Sequence, residues 1–305
     1  MRSQGSVLPG TRVWRCTEEL SGRWRCRVAL PRVLSDLARP TLGADALRRA
    51  LVAPAGPYAA LDVVAALPST NTALAAAARD GAPDRTVLVA EHQSAGRGRA
   101  ARSWIAPARS GLVLSVLLRP VEVPQARWGW LPLLAGVALC RTISTLGKIP
   151  AVLKWPNDLL LGVGRRKAAG ILAEVVPGPA VVLGIGLNVT LEADEIGVPE
   201  ATSLAVEQAA CTDRDTLLRA LLNNLDQDVR AWCGHGGDPV AAGVREAYLQ
   251  RCATLGRQVR VELPGQPVLT GTAVDLDVAG RLVVLSDGRR RALAVGDVTH
   301  VRAVR

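Results

Sequence analysis

The sequence predicts an α+β protein, a mixed sheet with helices followed by a small terminal β barrel. Three observations carry this expectation. Residues 151–189 run through four short aliphatic segments, AVLKW, DLLLGV, KAAGILAEVV and AVVLGIGLNV, separated by turn residues. Residues 126–147 and 216–233 have the length and apolar content of helices. Residues 255–305 alternate in short strands broken by Gly265-Gln266, Ala279-Gly280 and Asp287-Gly288.

The elements follow in order. Residues 1–40 mix Trp14, Cys16, Trp24 and Cys26 with many arginines and no periodicity, so a basic, disordered tail is expected there. Asp45 to Val52 reads as a helix, and Ser69-Thr70-Asn71 opens a second, TALAAAARD, with Ser69 placed to cap it. TVLVAEHQ (86–93) and GLVLSVLLR (111–119) read as strands. Residues 126–147 form a buried helix, and the four strands of 151–189 turn tightly at Gly162–Gly164 and Pro177-Gly178. Residues 216–233 and 240–252 are amphipathic helices. The expected organisation is a tail (1–40), a principal domain (41–250) and the terminal barrel (251–305).

Composition bounds the function. Apolar residues make up 49% of 305, enough for a sizeable core. The net charge is +10, but residues 1–39 hold eight arginines against Glu18, Glu19 and Asp36, so about half the excess sits in the tail. The remainder does not argue for nucleic-acid binding. Six cysteines form no C-x-x-C pair and three histidines no cluster, which excludes a zinc site or disulfide framework and fits a cytoplasmic location. Apolar runs such as LPLLAGVALC (131–140) are too short to span a bilayer, and no signal peptide is apparent.

The segment EHQSAGRGRAARSW (91–104) is the most informative. It sets Gly96 and Gly98 among Arg97, Arg99 and Arg102, in a loop between two strands. Glycines allow close backbone approach, and arginines offer forked donors to carboxylate or phosphate. On its own such a loop is most often a plain turn with solvated arginines. It lacks the context of a dinucleotide fingerprint and the lysine of a phosphate-binding P-loop.

Four further segments accompany it: Ser69-Thr70-Asn71, Lys-Trp-Pro-Asn-Asp at 154–158, RKAAGILAE at 166–174 and GIGLNV at 184–189. In this order, the five motifs resemble the catalytic domain of the biotin protein ligases, and residues 248–302 more loosely resemble that family's terminal barrel. The resemblance implies a class II synthetase-like mixed sheet, an SH3-like barrel and a two-step reaction. Biotin and ATP form biotinyl-5'-AMP, and biotin then passes to a lysine of a biotin carboxyl carrier protein domain. It implies biotin contacts at Ser69, Thr70, Asn71, Gln93, Gly96, Arg97, Arg99, Lys167 and Gly170. ATP contacts fall on Arg97, Arg99, Arg102, Trp104, Lys154, Asn157 and Asn188, with Gly184 and Gly186 leaving room for the adenine ring. Arg99, Lys154 and Lys167 carry the chemistry, and Asp158 either holds Mg2+ or orients Lys154.

The chemistry agrees with those residue types. Bringing a carboxylate to an α-phosphate needs surrounding cations. A ureido head needs donors and acceptors together. Two other readings remain. A lipoate or octanoate ligase shares the fold, but its usual arginine pair followed by three glycines is replaced here by GRGRAAR. A biotin-responsive transcriptional repressor needs an N-terminal winged helix-turn-helix, for which the first residues offer at most one good helix, so DNA binding is not expected. A homodimer is compatible with the family and not fixed by the sequence.

Overall fold

The computed structural model describes residues 13–18 and 24–29 by their backbone, and residues 39–263, 267–294 and 297–300. The chain divides into two compact units, Met1–Thr41 and Leu42–Arg305. The first contains an antiparallel strand pair, β1 (Val13–Glu18) and β2 (Trp24–Ala29). The pair lies within the stretch expected as a disordered tail. The rest of residues 1–38 and the turn expected at Gly265-Gln266 lie outside the described residues.

The second unit is built on a seven-stranded sheet of order β3-β4-β5-β9-β8-β7-β6. Its strands are β3 (Ala60–Val64), β4 (Thr86–Ala90), β5 (Gly111–Leu118), β6 (Ala151–Lys154), β7 (Asp158–Leu161), β8 (Arg166–Val176) and β9 (Ala180–Asn188). Only β3 and β4 pair in parallel; the other ladders are antiparallel, so the sheet is mixed as expected. Every residue of β9 is buried, which explains its continuous apolar run.

Side chains alternate across the sheet. On one face Leu112, Leu114, Val116, Leu118, Val181 and Leu183 enter a large core shared with α1 (Ala44–Leu51), α3 (Trp130–Thr142) and α4 (Arg214–Gly234). On the other, Leu117, Val176, Ala180 and Val182 pack against Leu74 and Ala78 of α2 (Thr70–Arg79). The helix α2 begins where Ser69 Oγ accepts from Thr72 N, and α4 where Asp213 accepts from Thr216 N. The cap at Asp213 starts α4 two residues earlier than its apolar spacing suggests.

Two helices depart from expectation. The stretch 126–147 opens with a 3-10 turn (Gln125–Arg127), continues as α3 and ends in a π segment (Ile143–Gly147). Trp130–Gly147 is by length and composition long and apolar enough to cross a bilayer, although the clean apolar run within it, 131–140, is too short to do so. It is nevertheless mostly buried, and Arg141 pairs with Asp228 of α4 at 3.0 Å, so it behaves as a core helix. The helix α5 spans only Val244–Leu249, because Gly243 takes φ +70° at its start.

The terminal segment forms a five-stranded antiparallel sheet of order β13-β12-β11-β10-β14, from β10 (Gln258–Glu262), β11 (Leu269–Leu276), β12 (Leu282–Ser286), β13 (Arg289–Leu293) and β14 (Asp297–His300). It docks on the larger sheet through hydrogen bonds. Trp155 Nε1 donates to Gly280 O at 3.1 Å, Trp130 Nε1 to Val278 O at 2.8 Å, and Trp155 N to Thr254 Oγ1 at 3.0 Å. Val259, Leu276 and Leu293 join the same core as the large sheet, so the boundary expected at 250 separates two sheets within one packed unit.

Thr254 also links this junction to β14, since its Oγ1 lies 3.1 Å from His300 Nε2. Oγ1 accepts from Trp155 N and keeps a second lone pair and a proton for the imidazole, so the direction of that bond follows the histidine tautomer. Burial, then the charges of Lys154, Arg257 and Arg165, hold the His300 pKa down to about 4. The unfolded chain therefore binds this proton first, and the stability His300 confers is complete above about pH 6.5 and lost as the pH falls towards 4. His300→Gln is expected to flatten that part of the Tm-against-pH curve. A wild-type minus variant difference that stays constant from pH 7.5 to 4.5 would contradict it.

Candidate active site

The site lies on the α2 face of the large sheet, where the strands present glycines. Ladder pairing places Gly184 between Ser115 and Leu172, and Gly186 between Val113 and Gly170. The missing side chains leave a hollow that other groups enter. A Cβ at Gly186 would stand 2.6 Å from Trp104 Cε2, and one at Gly184 would strike the Asn71 amide. The room expected for an adenine ring is thus taken by Trp104 and Asn71, which line a cavity of about 120 Å3.

At one end of the cavity neutral hydroxyls and amides are cross-linked and tied to the Glu174–Arg97 ion pair. Gln93 Oε1 accepts from Thr70 N at 2.7 Å and from Thr70 Oγ1 at 3.0 Å. Ser115 Oγ lies 2.8 Å from Thr70 Oγ1 and 2.6 Å from Asn71 Oδ1. Asn71 Nδ2 donates to Glu174 Oε2 at 2.8 Å, and Glu174 Oε1 receives Arg97 Nη2 at 2.7 Å. Ser69, Thr70 and Asn71 are all buried, so this ladder holds its geometry without solvent. Ser69 both caps α2 and faces the cavity.

The glycine-arginine loop folds back as a tight hairpin over the cavity. Trp104 N donates to Gly96 O at 2.8 Å, and Gly98 N to Arg102 O at 2.6 Å. Gly96 is required because any Cβ there would meet Trp104 O and Gln93 Nε2. Gly96 itself does not line the cavity; it lets the loop close. Arg99 Nη1 donates to Asn157 Oδ1 at 3.3 Å, and Arg102 Nε to Arg99 O at 3.4 Å.

At the other end stands Lys167. A bulge in the β7–β8 ladder, where Leu159 pairs with Ala169 and Leu160 with Lys167, leaves Ala168 unpaired and turns Lys167 towards the cavity. Lys167 Nζ lies 2.6 Å from Asp158 Oδ1 and 6.0 Å from the Trp104 ring centre. Its backbone is held by Glu200 O and Thr202 N, at 2.7 and 2.8 Å.

Eleven expected site residues therefore line one cavity: Ser69, Thr70, Asn71, Gln93, Arg97, Arg99, Arg102, Trp104, Asn157, Lys167 and Gly170. Lys154 does not. It ends β6 on the side of the terminal sheet, where its charge acts on His300. Asn188 also lies outside the cavity wall, with its Nδ2 spent on Thr202 O at 2.9 Å, so it positions the following segment. Asp158 pairs with Lys167 rather than with Lys154. Sequence reasoning missed Glu174 and Ser115. Both lie an even number of residues from a cavity-lining position on their strands, Gly170 and Val113, which was the available signal.

The family model described as biotin/lipoate A/B protein ligase matches residues 63–189, and that of the biotin protein ligase C-terminal domain matches residues 254–301. The chain is 44% identical over 271 residues to a biotin--[acetyl-CoA-carboxylase] ligase of Mycobacterium tuberculosis, covering 88% of this chain and 98% of that one. This chain belongs to the biotin protein ligase family. A bifunctional ligase/repressor BirA of Escherichia coli is 31% identical over 220 residues, 69% of this chain and 65% of that protein. The solved structure of a biotin protein ligase from Aquifex aeolicus in complex with biotin and ATP superposes with a TM-score of 0.66 at 26% identity, covering 81% of this chain and all of that one. Within this biotin protein ligase, Ala100 and Ala101 occupy the tip of the arginine loop at φ +51° and +56°. Left-handed backbone costs a residue with a Cβ about 1 kcal/mol or more, so the tip is strained.

Proposed function

We propose that this chain is an ATP-dependent biotin protein ligase. It forms biotinyl-5'-AMP and transfers biotin to a lysine of the biotin carboxyl carrier domain of an acetyl-CoA carboxylase, in the cytoplasm. The observation that carries this reading is the polarity of the cavity. One end offers neutral donors and acceptors at Ser69, Thr70 and Gln93, with Arg97 neutralised there by Glu174, the other the cations Arg99, Arg102 and Lys167, across a floor of Val113, Gly170 and Gly186. A small ring with a ureido head and an aliphatic tail ending in a carboxylate fits that gradient.

In the first step a carboxylate oxygen attacks the α-phosphorus of ATP. The new P–O bond replaces the bond to pyrophosphate, which leaves with the electron pair. Lys167, fixed by Asp158 and the bulge, and Arg99 from the closing loop lower the repulsion between the two anions. Asp158 is committed to Lys167, and no group of three metal-ligating side chains lies among the described residues. The described residues thus offer no cage for a resident cation, and magnesium enters as part of the ATP substrate, held mainly by phosphates.

Pyrophosphate release with ATP and magnesium, compared for biotin, lipoate and octanoate, tests this reading. Biotin-specific release, followed by a one-biotinyl mass gain on an added carrier domain, is expected. Release with lipoate alone would overturn the substrate. Arg99→Gly is expected to loosen retention of the adenylate more than its formation, because Arg99 meets the phosphate from the loop that covers the cavity while Lys167 stands on a strand of the sheet. Undiminished adenylate co-elution with the variant in size-exclusion chromatography would count against that role.

A further inference from the structure

The glycine-arginine loop leaves the large sheet after β4 and returns to it at β5, so residues 92–110 hang from two roots, Glu91 and Gly111. Both roots reach one buried side chain on the α4 side of the sheet, away from the cavity. Arg214 Nη1, at the start of α4, donates to Glu91 Oε2 at 2.6 Å and to Gly111 O at 3.2 Å. Arg109 N closes the neck of the loop on Glu91 O at 2.8 Å. The other carboxylate oxygen of Glu91 receives Leu42 N at 2.6 Å, so both oxygens are committed within the protein. Glu91 and Arg214 are buried, and neither lines the cavity.

Stability alone is a poor reason for this pair. Arg214 is the first residue of a 21-residue helix, where the helix dipole disfavours a cation. Both ions are out of water, and a buried ion pair adds little stability over apolar side chains of similar volume. What the pair supplies is direction. Glu91 follows Val87 and Val89 in the row that faces the large core, whereas Gln93, two residues on, faces the cavity on the other side. The chain crosses the plane of the sheet between them, and a fixed Glu91 sets where it crosses.

We propose that Arg214 is the positioning residue of the glycine-arginine loop, acting through Glu91 and Gly111 from behind the sheet. One nitrogen, with an N–H for each root, holds the two ends of the loop at a single spacing. That spacing lets Gln93 meet Thr70 and brings Arg99 to Asn157 over the cavity. The tip of the hairpin carries Ala100 and Ala101 in left-handed backbone, so the loop keeps this shape only while its base is held. The inference rests on the ligase reading above for what the loop binds, and not for how the loop is held. Arg214 touches no substrate; its effect reaches the reaction through the loop.

Arg214→Met alone would strand the charge of Glu91 in the core. The test therefore pairs it with Glu91→Gln, which leaves no buried charge there and keeps an acceptor for Leu42 N. Arg214→Lys, which keeps the charge on a shorter arm, is the second variant. The first readout needs no substrate: trypsin cleavage after Arg97 and Arg102, both exposed in the loop, mapped by mass spectrometry beside cuts elsewhere in the chain. In the double variant, loop cleavage is expected to rise ten-fold or more while other cuts change less than two-fold, with Arg214→Lys between it and wild type. The second readout is the half-life of bound biotinyl-5'-AMP, expected to shorten five-fold or more in the double variant. Wild-type loop cleavage or an unchanged adenylate half-life in the double variant would overturn the proposal. So would loop cleavage that rises only in step with cuts elsewhere, or failure of both variants to fold, since either assigns the pair to the core. Absence of adenylate in the wild type would instead overturn the ligase reading, and loop cleavage would still decide how the loop is held.

Discussion

Lys167→Ala is expected to slow biotin-dependent pyrophosphate exchange by about 10²–10³, as for the loss of one preorganised charge-stabilising donor. The lysine is held by a bulge, by two backbone hydrogen bonds to the 200–202 segment and by Asp158 at 2.6 Å. A positive charge placed this firmly needs no reorganisation when the carboxylate and phosphate converge. The side chain is about one-third exposed, so its removal leaves the core intact, and the melting temperature should move little. Asp158→Asn is expected to cost less, because it releases Lys167 without removing it. Since Asp158 acts through Lys167, the double variant should be no slower than Lys167→Ala alone. Multiplicative losses in exchange rate would show that Asp158 acts on the substrate independently.

The same region shows where sequence and structure part. Strict strand alternation would put Lys167 and Gly170, three residues apart, on opposite faces of β8. The bulge at Ala168 brings both to the cavity, and nothing in RKAAGILAE announces it. The motif's lysine was legible as a site residue; its direction was not. Lys154 went the other way: a lysine ending an apolar strand before Trp-Pro-Asn-Asp looked aimed at phosphate, but that strand's end borders the terminal sheet, a contact that only tertiary packing reveals. Aliphatic runs bounded by turn residues located β5, β8 and β9, which are long, and of which β5 and β9 are almost wholly buried. The strand β3 escaped notice because ALDVV is short, mostly half-exposed and paired on one side only. The glycines of β9 signalled an open space, as expected, but the space is filled by Asn71 and Trp104 from the same chain.

Glu174 yields the second large effect, and it distinguishes a surface ion pair from a connecting element. Its carboxylate grips Asn71 with one oxygen and Arg97 with the other, and so joins the buried ladder beneath the substrate head to the loop that covers it. If only the ion pair mattered, Glu174→Ala and Arg97→Ala would be equivalent, and both small, because Arg97 is half exposed and the pair is screened by solvent. Asn71, in contrast, is buried, and without Glu174 its Nδ2 keeps only the 3.2 Å bond to Leu172 O, while its Oδ1 stays with Ser115. A weakened buried polar partner costs about 1–3 kcal/mol, which corresponds to roughly ten- to a hundred-fold in binding. Glu174→Ala is therefore expected to raise the KM for biotin by about that factor, several-fold more than Arg97→Ala does. Glu174→Gln, which keeps one acceptor oxygen for Asn71, should fall between them. Equal effects of Glu174→Ala and Arg97→Ala on the biotin KM would mean that the carboxylate does not order Asn71. The ladder would then be held by Ser115 and Gln93 alone.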